Sequence, residues 1–229
     1  MTITTSKLAR AAGLAAMVAG LLFIIIQPIH PSEDVSAVTG GAWATVGYMT
    51  LGFAILGLVG VSGMYLRQVK EAGVLGLVGY VMFASLFLLT MAFTFAETLI
   101  LPPLASEAPQ FVDSFLGIFS GSPGDVELGT LGAIGGVSFA LYLIGGSLFG
   151  IALFRARVLS RWAALMLVFG AVVTLLVPLL PHAVARYAAV PMGVALVGLG
   201  YSLWSEQRET ATASVSDGRS ARLDLAAAE

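Results

Sequence analysis

The stretch Val74–Leu101, VLGLVGYVMFASLFLLTMAFTFAETLIL, decides the fold class. It exceeds the roughly 20 apolar residues that a helix needs to cross a hydrocarbon core, and its one charge is Glu97. Working outward, comparable apolar stretches lie at about Ala11–Ile29, Trp43–Leu66, Leu128–Phe154, Trp162–Leu180 and Ala188–Trp204. Lys7 and Arg10 before the first would also suit a signal peptide, but its core is long and no small-x-small cleavage site follows, so it reads as an uncleaved anchor. The expected fold is an all-α, integral membrane six-helix bundle.

Composition points the same way. The chain is 58% hydrophobic and 10% charged, with a mean hydropathy of +0.96, whereas a soluble domain is about 25% charged. There are no cysteines, which excludes disulfides, thiolate metal sites, iron–sulfur clusters and cysteine nucleophiles.

The net charge of −2 matters less than where the charges fall. Odd-numbered gaps between spans carry Glu33, Asp34, Glu107, Asp113, Asp125 and Glu127, with Arg186 as their single basic residue. Even-numbered gaps and the termini carry the other ten of the 11 lysines and arginines, among them Arg67, Lys70, Arg155, Arg157 and Arg161. By the positive-inside rule both termini are cytoplasmic. Residues 1–204 form the expected transmembrane domain and 205–229 a disordered cytoplasmic tail, small and polar in composition. Trp43, Trp162, Trp204 and Tyr187 near span ends are expected to anchor at the headgroup level.

Pro109–Ser120 spaces Phe111, Val112, Phe115, Leu116 and Phe119 as one helical face, which predicts a short interfacial helix in the second external loop, resting on the bilayer or capping the bundle. Closely spaced glycines, such as Gly57, Gly60 and Gly63 or Gly129, Gly132 and Gly136, allow close helix approach. They serve packing within the chain, or contact with a second copy or another membrane protein.

Polar groups within spans are the functional candidates, because burying them is costly unless they find partners. Glu97 is the one acid inside a span. Topology gathers Gln27, His30, His182 and Arg186 at the same, outer leaflet, so these five residues form a candidate polar cluster. A Glu97–Arg186 or Glu97–histidine pair would order the helix ends; a cavity there would bind a lipid or small amphiphile. Two imidazoles and a carboxylate would also suit a zinc site, although no HExxH or HxxxH pair presents two ligands from one helix face. The span hydroxyls Ser85, Thr90, Thr94, Ser138, Ser147 and Thr174 carry no nucleophile signature. No cofactor is implied, and the inner cations, accounted for by topology, do not suggest nucleic-acid binding.

LARAAGLAAMVAGLLFIIIQPIHP at the start, LRQVKEAGVLGLVGY, GIALFRARVLSRWAALML and the closing GVALVGLGYSLWSEQR together resemble small multi-pass membrane proteins of actinobacterial type, a family of unknown function. The resemblance covers nearly all of the chain to about Arg208 and implies a bacterial plasma membrane, but it brings no activity or site residues. The expected function is a non-enzymatic module that binds a lipid, a small amphiphile or a partner protein. A transporter component and an intramembrane metal-dependent enzyme are the alternatives.

Overall fold

The computed structural model describes residues 4–120, 124–180 and 185–206. All regular structure among them is helical. In chain order the helices are α1 (Thr5–Ile29), α2 (Gly41–Arg67), α3 (Val69–Glu107), α4 (Pro109–Ser120), α5 (Gly129–Ala156), α6 (Arg161–Val177) and α7 (Arg186–Glu206). Five of these, α1, α2, α3, α5 and α7, are long and apolar enough to cross a membrane; α6 is apolar but shorter. Their outward faces are as apolar as their core, with Leu21, Leu88, Phe169 and Leu176 all exposed, as expected where the surrounding solvent is lipid.

Such helices gain little from hiding apolar surface from one another, so close backbone approach carries the packing. The α1–α7 contact shows how. A Cβ on Gly13 would lie 2.7 Å from the Gly200 carbonyl oxygen, and one on Gly200 2.6 Å from that of Gly13. Seven residues along α1, Gly20 meets Gly193 in the same reciprocal way. Gly57, Gly60 and Gly63 of α2 likewise receive Phe87, Ala16 and Ala12. These glycines therefore serve packing within the chain. Gly129, Gly132 and Gly136 of α5 face open space.

Aromatic rings fill the centre. Phe23 stacks on Phe53 at 4.5 Å, Phe53 meets Phe87 at 5.4 Å, Phe87 meets Phe83 at 5.1 Å and Phe83 meets Phe149 at 6.2 Å, joining α1, α2, α3 and α5.

One end of the bundle is tied by charged and polar groups. Arg67 of α2 pairs with Glu206 of α7, Arg10 lies over the Trp204 ring, and Arg161 sits 4.1 Å from the centre of Phe154. The Ser160 amide donates to Ser202 Oγ at 3.0 Å. α7 thus stays helical through Ser205 and Glu206, the first two residues of the expected tail; its remainder, 207–229, lies outside the described residues.

Three elements differ from the sequence expectation. The pair Pro102-Pro103 does not end α3. A π turn over Ala96–Ile100 precedes it, and the prolines then open the next helical segment at N1 and N2, where their missing amide protons cost nothing. α6 is α-helical only through Val173 and continues as a 3₁₀ helix over Thr174–Leu179; the Thr174 hydroxyl donates to the Ala171 carbonyl at 2.6 Å, competing with the regular ladder. Trp43 is not a lipid-facing anchor. It is 5% exposed and buried under α4, whereas Trp162 and Tyr187 are exposed as expected.

Candidate functional site

The end of the bundle opposite Arg67 is built differently. α5 packs tightly over its last third, where Phe149, Gly150, Ala152 and Leu153 are buried, whereas between Gly129 and Ala140 only Ser138 is. The two halves meet at a second π turn, Leu141–Gly145. Here α5 leans away from α3 and leaves a space that α4 borders.

α4 is held there by its apolar face. Val112, Phe115 and Leu116 are buried against Trp43, Phe93 and Leu101, with Phe115 stacked on Phe93 at 4.6 Å and Phe119 edge-on to it at 4.6 Å. The Val126 amide donates to Ser114 Oγ at 3.0 Å, which fixes the returning chain. The amphipathic helix therefore caps the protein with its apolar face.

Beside the cap lies an open-sided cavity of about 410 Å³ between α1, α3, α5 and α6, to which α4 contributes Phe119. Phe23, Leu86, Leu89, Phe93, Phe119 and Phe139 supply an apolar wall. Its polar groups are Thr90, Thr94, Glu97, Ser138, Tyr142 and Thr174, together with His30 and Glu33 at the rim. Glu97 and Tyr142 belong to the two π turns, and such turns are frequent where a helix must re-aim side chains at a functional site. The Tyr142 hydroxyl is buried with no hydrogen-bond partner among the described residues.

Behind Glu97 a smaller polar cavity of about 60 Å³ is lined by His30, Trp43, Thr94 and Thr98. Thr98 is 5% exposed, and its hydroxyl oxygen also has no hydrogen-bond partner among the described residues. The volume is sufficient for ordered water. Trp43 Nε1 donates to the Glu97 main-chain oxygen at 2.9 Å, tying α2 to the wide turn of α3 and satisfying a carbonyl that the irregular ladder loosens.

Of the residues expected to cluster, Glu97 and His30 meet at this cavity. Arg186 is not part of the lining but pairs with Glu33, which is, with Nη2 2.9 Å from Oε1; the expected Glu97–Arg186 pair does not form, because the short link after α1 presents an acid to Arg186 first. Nor does His30 bond Glu97: its Nδ1 donates to the Pro31 carbonyl at 2.9 Å. Gln27 turns away and donates to the Phe23 carbonyl of its own helix at 2.8 Å. His182 lies outside the described residues. Among the described residues no three histidine, aspartate or glutamate side chains lie close enough to hold a metal ion. Nothing in the sequence marks Tyr142 as a lining residue, and Ser138 and Phe119, visible there only as a span hydroxyl and as part of an apolar helix face, enter the site through the course of α5 and the docking of α4.

Burial holds the His30 pKa below its ordinary value, and Arg186 adds to this; the Pro31 bond and Glu33 oppose it. The folded state thus takes up fewer protons at His30 than the unfolded state, and stability declines as pH falls from about 6.5 toward the lowered value. The thermal midpoint of wild type should fall more between about pH 7 and pH 5 than that of His30→Gln; equal slopes would contradict this. The Glu33–Arg186 side chains remain 25% and 30% exposed, so Arg186→Ala should cost no more than about 1 kcal/mol in a denaturation midpoint.

The chain matches no family model, no curated protein and no solved structure. The functional reading therefore rests on the geometry of this site.

Proposed function

We propose that this chain is a six-span protein of the bacterial plasma membrane, with both termini cytoplasmic, that binds a lipid or other small amphiphile in the cavity beside α4. It acts as a binding module and not as an enzyme. The observation that carries this reading is the cavity itself. Its volume falls within the roughly 300–1,000 Å³ of small-molecule sites, and it has their character of an apolar wall with a few convergent polar groups.

The sixth crossing is supported by the form of α6. Its 13 α-helical residues and six 3₁₀ residues rise roughly 30 Å together, about the thickness of the hydrocarbon core. Orientation is supported by the Arg67–Glu206, Arg10–Trp204 and Arg161–Phe154 contacts, which collect basic residues of three helices, α1, α2 and α6, at one end. The cysteine-free background permits a direct test. With a membrane-impermeant thiol reagent on intact cells, Glu107→Cys should label and Lys70→Cys should label only after lysis; the reverse pattern would overturn the orientation.

The binding reading is tested by native mass spectrometry after mild detergent extraction. Wild type should retain one amphiphile per chain. Thr90→Phe, which fills the cavity from the α3 side, should lose it while keeping the wild-type thermal midpoint. Equal retention by both would remove the cavity as the binding site.

A further inference from the structure

The electrostatics of the cavity specify more than an amphiphile. Its lining among the described residues contains two carboxylates, Glu33 and Glu97, and no lysine or arginine. Glu33 is already paired with Arg186. His30 donates from Nδ1 to Pro31, which leaves Nε2 as an acceptor in the neutral ring. Glu97 is therefore the one acid of the lining whose side chain receives no protein hydrogen bond or ion pair among the described residues, while its main-chain oxygen is occupied by Trp43. Tyr142 and Thr98, whose hydroxyls are unpartnered among the described residues, share the linings of the large and the small cavity with the same acid.

The same lining is rich in aromatic rings. Phe23, Phe93, Phe119, Phe139 and Tyr142 all contribute to the lining. Ring faces carry negative potential and attract an organic cation, most strongly where water is excluded. A carboxylate beside several rings is thus complementary to a positive, weakly hydrated head, and opposed to a phosphate or sulfate head, because Arg186, the cation that meets the lining at Glu33, is already neutralised by that acid.

Resting on the proposed amphiphile-binding role, we infer that this cavity selects amphiphiles whose head is an organic cation of the quaternary ammonium or phosphonium class, held by Glu97 among the aromatic rings. With the cation bound Glu97 is ionised and supplies the charge, the rings supply the remainder of the cation shell, and Leu86 and Leu89 contact the apolar part. No covalent step is involved.

Tetraphenylphosphonium and tetraphenylborate test this directly, because they share shape and apolar surface and differ in sign. Binding to the purified full chain is measured by equilibrium dialysis in neutral detergent, on wild type, Glu97→Gln, Glu97→Asp and Thr90→Phe. The phosphonium should bind wild type saturably at one per chain and at least tenfold more weakly to Glu97→Gln. Glu97→Asp, which keeps the charge, should retain preference for the cation. Tetraphenylborate should show only non-saturable partitioning.

Saturable borate binding, or full phosphonium affinity in Glu97→Gln, would overturn the cationic preference. If Thr90→Phe abolished that same binding, the amphiphile site would stand. Saturable binding of neither ion, together with unchanged amphiphile retention in Thr90→Phe, would overturn both. The wild-type sign preference and the Glu97→Asp result decide the matter even if Glu97→Gln fails to fold.

Discussion

Gly20→Leu should lower the stability of the detergent-solubilised protein by about 2–3 kcal/mol, whereas Gly132→Leu should leave it within about 0.5 kcal/mol. Both place the same side chain on an apolar helix, so lipophilicity and helix propensity cancel. What differs is the space. A Cβ at Gly20 runs into the carbonyl oxygen of Gly193 and lies 2.9 Å from the Val197 amide nitrogen. Main-chain atoms cannot rotate aside, so α1 and α7 must separate, and with them the second reciprocal contact at Gly13 and Gly200. At Gly132 nothing lies within 4 Å. Thermal or denaturant midpoints of the two variants measure the contrast; equal effects would show that α1 and α7 are not in this register.

Phe83→Ala should cost about 2–4 kcal/mol, toward the lower part of the range for phenylalanine truncation in a core. The ring is 1% exposed and stands between Phe87, at 5.1 Å, and Phe149, at 6.2 Å. Removing it leaves a gap at the junction of α3 and α5. The value stays below that for a soluble core because the unfolded helices rest in detergent or lipid, so dispersion is lost but little transfer from water is involved. Phe83→Leu, which retains most of the volume, should lose less than half as much. A denaturation series over the three proteins checks this, and a loss no larger for alanine than for leucine would contradict the packing described.

Much of this fold is visible in the sequence because a bilayer imposes length and charge rules on each segment separately. The apolar stretch through Val74–Leu101, the concentration of arginines on one side, and the helix at Pro109–Ser120 all follow from local composition. What depends on neighbours does not. The continuation of α3 past Pro102 needs a π turn that no residue type specifies. The reciprocal fit of Gly20 with Gly193 joins residues far apart in the chain, and spacing within α1 gives no indication of it. The candidate site shows the same division. Glu97 stands out as the one acid in a span, and topology places His30 and Arg186 at its level. Their partners, Pro31 for His30 and Glu33 for Arg186, are set by the turn after α1. Tyr142 and Ser138 enter the cavity only because α5 changes pitch at Leu141–Gly145 and leans outward.

The central claim is that an amphiphile occupies the space between α1, α3, α5 and α6. Trp43 is buried and lines the small cavity, which shares His30, Thr94 and Glu97 with the lining of the large one, so its fluorescence reports on the neighbouring space once Trp162 and Trp204 are replaced by phenylalanine. A tail-brominated alkyltrimethylammonium should quench Trp43 saturably, with an endpoint at one per chain, and Thr90→Phe should remove the saturable part. Quenching that rises in proportion to the amphiphile in the micelle, unchanged by Thr90→Phe, would show that the cavity is not its site.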